Sequence, residues 1–218
     1  MPLGSVAATV IIVGAFAVVH SLFVTDAAKR KAVAVFGPRA VQGLYRFGFT
    51  CLSVLTATLA SVLIAGLPDR TLGVLPWPAK IVFHCLQAVG VLVAVSAFRV
   101  MKFLEFVGIS QCLAFLRGQA IPGDIEGISQ GGLLTRGVYG VMRHPLYGAG
   151  ILIFTFNVHI TTNALTVSLL ADIYFLLGSL LEHRRLKRHF GRAYEEYAED
   201  VPAFIPSIRR LVRRPSRR

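Results

Sequence analysis

The chain is predicted to be an all-α integral membrane protein of about five transmembrane helices, the last two forming a hairpin, with a cytosolic helical extension behind them. Three observations carry this. Of the 218 residues, 55% are hydrophobic and 16% charged; mean hydropathy is +0.65; and runs free of formal charge cover residues 2–25, 47–68, 81–98 and 144–171. Soluble domains carry about 25% charged residues, and a single crossing needs about 20 apolar residues. The first three runs each suffice for one span. The last continues to Leu181, interrupted only by Asp172, so it is long enough for two short crossings, with Asn157-Val158-His159-Ile160-Thr161-Thr162-Asn163 as the turn. The expected organisation is one membrane domain over 1–218: three spans in 1–100, a cytosolic interfacial helix and loop in 101–143, the hairpin in 144–181, and a cytosolic helix with a basic tail in 182–218.

The first span has no basic residue before its apolar run and no small-residue cleavage site, so it is expected to stay attached rather than act as a leader. Its polar end holds His20, expected to pack or cap. The connection that follows predicts a short amphipathic helix over residues 27–36, closed by Gly37-Pro38. The second span is rich in small and hydroxyl residues (Thr50, Ser53, Thr56, Thr58, Ala60, Ser61), which allow helices to approach closely in lipid. In the third, His84 and Gln87 share a face and suit a polar interhelical contact. Residues 103–117 mix apolar side chains with Glu105, Gln111 and Cys112, giving an interfacial or pocket-lining helix broken at Gly108. A glycine-rich loop follows over 118–137. It matches neither glycine-rich nucleotide signature. Residues 182–200 alternate charge with Leu186, Phe190, Tyr194 and Tyr197, so the last helix continues past the membrane with a bend at Gly191. The segment Val201-Pro202-Ala203-Phe204-Ile205-Pro206 suits lying back on the membrane or over a pocket.

Net charge is +12. Lys29, Arg30, Lys31 and Arg39 follow the first span; Arg99, Lys102, Arg117, Arg136 and Arg143 follow the third; eleven cations follow the last. The second connection carries few, and the turn inside the hairpin none. Cytoplasmic loops concentrate Lys and Arg. The inner, cytoplasmic membrane with the N-terminus outside and the C-terminus cytosolic is therefore the expected placement. The arginine-rich end, Arg209 to Arg218, lacks interleaved aromatics and adjoins a membrane, which favours membrane lipids as partners over nucleic acid. Cys51, Cys85 and Cys112 match no zinc spacing, so neither a metal site nor a disulfide framework is expected. The oligomeric state is left open.

The chemistry concentrates at Gly137-Val138-Tyr139-Gly140-Val141-Met142-Arg143-His144-Pro145-Leu146-Tyr147. Pro145 fits the first turn of a helix, where its missing donor costs nothing, and the amides of Leu146 and Tyr147 then face the cytosol. That helix start, with the Arg143 fork, makes a seat for a carboxylate or phosphate. Tyr139 and Tyr147 offer aromatic faces for an adenine or a sulfonium cation. In a hairpin, Glu182 ends at the level of Arg143 and can take a ribose hydroxyl or an amino group, or form a structural salt bridge with Arg143. Asp172, inside the last span, is a candidate to orient substrate or to pair with a polar neighbour such as His159. The other reading of this cluster is a basic membrane anchor.

With these residues in place, the last third of the chain resembles the membrane methyltransferase superfamily that includes isoprenylcysteine carboxyl methyltransferases and phospholipid N-methyltransferases. The likeness rests on Gly137-Val138-Tyr139, Arg143-His144-Pro145-Leu146-Tyr147-Gly148, Glu182, Phe190-Gly191, Tyr194, Tyr197, Val201-Pro202 and Ile205-Pro206. It implies S-adenosylmethionine as methyl-donor cosubstrate, bound by Tyr139, Arg143, His144, Pro145, Leu146, Tyr147, Glu182 and Tyr194, with Arg143 and Glu182 as catalytic residues. Many members have two glutamates where this chain has Glu182-His183. Shorter matches at His20-Ser21-Leu22, Tyr45-Arg46 and Phe103-Leu104-Glu105-Phe106-Val107-Gly108-Ile109-Ser110-Gln111 resemble the branch with methanethiol S-methyltransferase and NnrU-like proteins. They favour a small or lipid-soluble nucleophile over a prenylated peptide; the expected acceptor is small or lipophilic (an isoprenylcysteine-like carboxylate, a thiol or a lipid amine), with Glu105, Gln111 and Asp172 as substrate candidates. For a thiol acceptor, His144, His183 or Glu105 would take the proton. Two rivals are a haem-binding membrane isomerase, with His20 and His84 as ligand candidates, and a non-enzymatic factor of nitrogen-oxide metabolism.

Overall fold

The computed structural model describes residues 2–123 and 132–206. Part of the glycine-rich loop and the arginine-rich tail lie outside the described residues. The protein is an all-α integral membrane protein: among the described residues, four helices are long and apolar enough to cross a bilayer, Leu3–Val24, Pro38–Ala65, Trp77–Met101 and Thr162–Phe190. Two compact units emerge, Met1–Arg70 with Met101–Gly132, and Thr71–Val100 with Leu133–Arg218.

In the first unit, α1 (Pro2–Val24) leads into α2 (Asp26–Phe36), whose first turn is capped by Thr25 accepting from the Ala28 amide at 3.2 Å. Gly37 ends α2, and Pro38 opens α3 (Pro38–Ala65). The expected span began at residue 47, because Arg39 and Arg46 read as loop. The helix runs straight through them, since long cationic side chains can keep their heads in the interfacial layer while their stems follow the helix. Thr50, Ser53, Thr56 and Ser61 donate to carbonyls four residues back, at 2.7 to 3.0 Å. Hydroxyls satisfied within their own helix are tolerated in lipid. The interfacial stretch forms α5 (Phe103–Phe106) and α6 (Ile109–Leu116), broken at Gly108 as expected. Gly108 sits at φ +86, and a Cβ there would lie 2.4 Å from the Phe47 amide nitrogen, so the break and the close approach to α3 both require glycine.

In the second unit, α4 (Trp77–Met101) is followed by a 3-10 turn (Gly137–Gly140), α7 (Pro145–Thr155), α8 (Thr162–Phe190) and α9 (Arg192–Asp200). The expected fourth crossing is thus an 11-residue helix. At 1.5 Å per residue it is about 16 Å long, roughly half the hydrocarbon thickness. Residues 156–161 turn the chain, with the His159 amide donating to Asn157 Oδ1 at 3.0 Å and the Thr161 hydroxyl capping α8 through the Ala164 amide. Leu72 N–H donates to the Ile160 carbonyl at 2.8 Å, tying the segment before α4 to that turn.

Small residues let α7 and α8 close on each other. A Cβ at Gly150 would lie 2.6 Å from the Phe175 ring, and one at Gly178 would lie 2.8 Å from the Tyr147 ring. Polar pairs fix the register: Ser168 Oγ donates to the Phe154 carbonyl, and Thr155 Oγ1 to Asp172 Oδ2, both at 2.7 Å. Ser168, Asp172, Ser179 and Glu182 follow one side of α8 by helical spacing.

Candidate functional site

The start of α7 and the far end of α8 meet. His144 precedes Pro145, which disfavours the helical conformation for it, and it stands at φ −121, ψ 61 as the residue before α7. Its side chain is 3% exposed, and its Nδ1 lies 2.9 Å from Glu182 Oε2. A carboxylate only accepts, so this nitrogen carries the hydrogen. Arg143 points elsewhere: one terminal nitrogen lies 3.4 Å from His183 Nδ1, and the Tyr194 hydroxyl lies 3.0 Å from the same nitrogen. A guanidinium has no acceptor, so His183 Nδ1 is the lone-pair nitrogen and its proton sits on Nε2. His144 thus presents Nδ1 as a donor, and His183 presents Nδ1 as an acceptor.

The C-terminal elements complete the arrangement. Gly191, at φ +54, ends α8 and lets α9 turn back, giving the bend the sequence predicts. Tyr194 is fully buried. Burial raises its phenol above the usual value against the pull of the Arg143 charge, and the phenol stays a donor. Tyr197 donates its hydroxyl to the Tyr139 carbonyl at 2.6 Å. Tyr139 itself has a phenol raised first by burial and then by the charge of Glu182. The apolar segment after α9 lies back over the start of α7: Arg143 N–H donates to the Pro202 carbonyl at 2.9 Å and His144 N–H to the Ala203 carbonyl at 3.0 Å. The Phe204 ring sits 6.1 Å from the His144 ring, centre to centre.

Beside this network opens a cavity of about 510 Å³, lined by Arg143, His183, Lys187, Tyr194, Glu195 and Glu199 together with Ala198. Such a volume falls in the range of small-molecule sites, about 300 to 1,000 Å³. Its wall carries both signs of charge, with Lys187 Nζ 2.8 Å from Glu195 Oε1. Among the described residues, the buried Arg143 Nε has no hydrogen-bond partner.

Of the residues singled out in the sequence, Arg143 and Tyr194 line the cavity, while Glu182 and His144 are joined to each other next to it. Pro145 is buried under the same corner and Leu146 is half-buried. The Tyr147 ring is wedged among His144, Phe175 and Gly178, and Tyr139 is half-buried; neither lines the cavity. Asp172 lies ten residues before Glu182 on α8, about 15 Å along the helix. One of its oxygens takes the Thr155 hydroxyl and the other is buried without a hydrogen-bond partner. Glu105 and Gln111 belong to the other unit, where Glu105 pairs with Lys102 at 3.0 Å and Gln111 donates to the Glu105 carbonyl. Lys187, Glu195 and Glu199 were not among the candidates; on an exposed amphipathic helix they read as solvated charges. Of the haem-ligand candidates, His20 pairs with Ser53 at 3.0 Å and His84 with Gln87 at 3.0 Å.

Comparison with known proteins finds methanethiol S-methyltransferase of Pseudomonas deceptionensis, 34% identical over 119 residues, covering 55% of this chain and 42% of that protein. Methanethiol S-methyltransferase 2 of Bradyrhizobium diazoefficiens is 29% identical over 196 residues, 88% of this chain and 70% of that protein. Protein-S-isoprenylcysteine O-methyltransferase B of Arabidopsis thaliana is 35% identical over 80 residues, 35% of this chain and 40% of its own length. The chain is thus similar, over these stretches, to methanethiol S-methyltransferases and to a protein-S-isoprenylcysteine O-methyltransferase. It spans less than half the length of the Pseudomonas member and about two-thirds of the Bradyrhizobium one. No family model and no solved structure matches.

Proposed function

We propose that this chain is a member of the membrane methyltransferase superfamily of these relatives, that it transfers a methyl group from S-adenosylmethionine to a small or lipophilic acceptor, and that the α7–α8–α9 corner holds the donor. The observation that carries this is the two-signed cavity built on the Arg143, His183 and Tyr194 network. A cosubstrate with a carboxylate, an ammonium and a sulfonium needs both cations and carboxylates within reach, in a space of this size. The residues fit. Arg143, through its guanidinium, and Lys187 would hold the carboxylate; Glu195 and Glu199 would hold the cationic groups.

When bound, S-adenosylmethionine supplies an electrophilic methyl group on a positively charged sulfur. The chain's own part is alignment and exclusion of water. His144 fixes the Glu182 carboxylate through Oε2, leaving Oε1 to receive a hydroxyl or amino hydrogen. The segment of residues 201–204, hydrogen-bonded to Arg143 and His144, closes the corner from one side. Buried alignment of two reactants is the largest contribution such a site can make.

The names of the relatives support a thiol as small as methanethiol or an isoprenylcysteine carboxylate as acceptor. The cation-rich connections support a site on the cytosolic face of the inner membrane, with the N-terminus outside. The test supplies membranes carrying the protein with donor labelled in the methyl group, with methanethiol or a farnesylcysteine analogue as acceptor. Label in either product supports the proposal; no donor binding by calorimetry, together with no labelled product, removes it.

A further inference from the structure

A second cavity, of about 410 Å³, lies in the unit that contains α1, α2 and α3. Ala28, Ala32 and Phe36 line it from α2, and Leu44, Gly48 and Leu52 from α3. Both sets recur every four residues, so each is one face of its helix. The α3 set runs about 12 Å along the axis, from the loop end into the apolar span. Tyr45 is the one lining residue with a polar side-chain atom, and its hydroxyl donates to the Phe23 carbonyl at 2.7 Å. No side chain is therefore presented to a polar ligand. The space is open rather than packed: a Cβ added at Gly48 meets nothing within 4 Å.

The charges on α2 and at the start of α3 are cations but for Asp26. Arg30 and Lys31 are exposed on α2 between the lining positions Ala28 and Ala32, and exposed Arg39 precedes the lining residue Ala40. Lys29 is largely covered, with its side chain 12% exposed and its amine 3.9 Å from Asp26. Asp26 is the sole acid in the first 68 residues. A hydrocarbon-lined slot beside a cation-rich amphipathic helix next to a span complements a molecule with an apolar chain and a negative head at its end.

We infer that this cavity binds one acyl chain of an anionic membrane phospholipid, with the phosphate group at the cationic surface that Arg30, Lys31 and Arg39 give to α2 and the start of α3. The slot is uncharged inside and lacks a side chain to hold a reacting group, so its occupant is a resident lipid and not the methyl acceptor. This inference is independent of the proposed methyl transfer.

The test is native mass spectrometry of the full chain in mild detergent with equal amounts of phosphatidylglycerol and phosphatidylcholine. One phosphatidylglycerol per chain should be retained at least tenfold over phosphatidylcholine. Ala32→Phe or Gly48→Leu, each placing a side chain in the slot, should abolish retention, and R30Q/K31Q/R39Q should leave retention equal for the two lipids. Circular dichroism confirms helicity; should Ala32→Phe not fold, Gly48→Leu carries the test. Equal retention of both lipids by the wild-type chain, or undiminished retention by a folded slot-filling variant, overturns the inference.

Discussion

His144 Nδ1 lies 2.9 Å from Glu182 Oε2 across 38 residues of sequence, while the arginine next to that histidine turns to His183 instead. The two pairings are a matter of direction. Successive residues on α8 point about 100° apart, so Glu182 and His183 face different sides of the helix, and residues 143 and 144 divide between them. The carboxylate goes to the buried histidine under the α7 corner, and the guanidinium is left on the cavity side.

The His144 to Glu182 contact should therefore couple α7 to α8. Double-mutant cycles with His144→Ala and Glu182→Gln, read by thermal unfolding in detergent, are expected to give a coupling of about 1 to 2 kcal/mol, in the range for hydrogen bonds to a charged group less the screening of a partly exposed carboxylate. Additive single effects would show that the contact is incidental.

Arg143 should matter for donor binding more than for folding. Arg143→Ala removes a guanidinium that lines the cavity, and S-adenosylmethionine binding should weaken by about 1 to 3 kcal/mol with the unfolding midpoint little changed. Arg143→Lys keeps charge without the fork and should restore only part of the loss. Unaltered affinity in both variants, measured by calorimetry, argues for a different donor site.

Close approach in the hairpin predicts overpacking. Gly150→Ala directs a methyl into the Phe175 ring and Gly178→Val directs a larger group into Tyr147, so each should cost about 1 to 3 kcal/mol. Phe175→Leu should relieve the first and leave the second unchanged. Gly14→Ala, where an added Cβ meets nothing within 4 Å, serves as a control and should be neutral or slightly stabilising. Thermal unfolding distinguishes these outcomes.

Much of this was legible from residues alone. Charge-free runs found α1, α4 and α8, Gly37-Pro38 marked the end of α2, and Gly108 and Gly191 marked breaks. These signals are local, arising from backbone freedom or hydropathy over a few turns. The start of α3 was hidden by Arg39 and Arg46, because a loop and a helix passing through the headgroup layer have the same charge. The pairing at the site was hidden for a different reason. Spacing along the chain placed residues 143 and 182 at one level, but which of two neighbours meets which depends on rotation about α8, and nothing local in the sequence encodes that rotation. Lys187, Glu195 and Glu199 gain meaning only when α9 folds back at Gly191.

Tyr139 and Tyr194 yield a test at alkaline pH. Both phenols are raised above their ordinary value, principally by burial, with Glu182 adding to the shift and Arg143 opposing it at Tyr194. In the unfolded chain a phenol loses its proton near pH 10, roughly. The folded state keeps the proton longer, so the stabilisation from burying each neutral phenol is intact below that pH and falls as pH rises toward the folded value. The slope cannot exceed about 1.4 kcal/mol per pH unit for each phenol. Denaturant midpoints measured between roughly pH 9 and 11.5 should therefore be flat and then decline. Tyr194→Phe should lower stability at neutral pH by losing the hydroxyl contact with His183, yet make the alkaline decline shallower. Tyr139→Phe, whose ring hydroxyl is separate from the carbonyl that Tyr197 holds, should flatten the decline with a smaller neutral-pH effect. A decline that both variants leave as steep as in the wild-type protein would place the alkaline titration elsewhere in the chain.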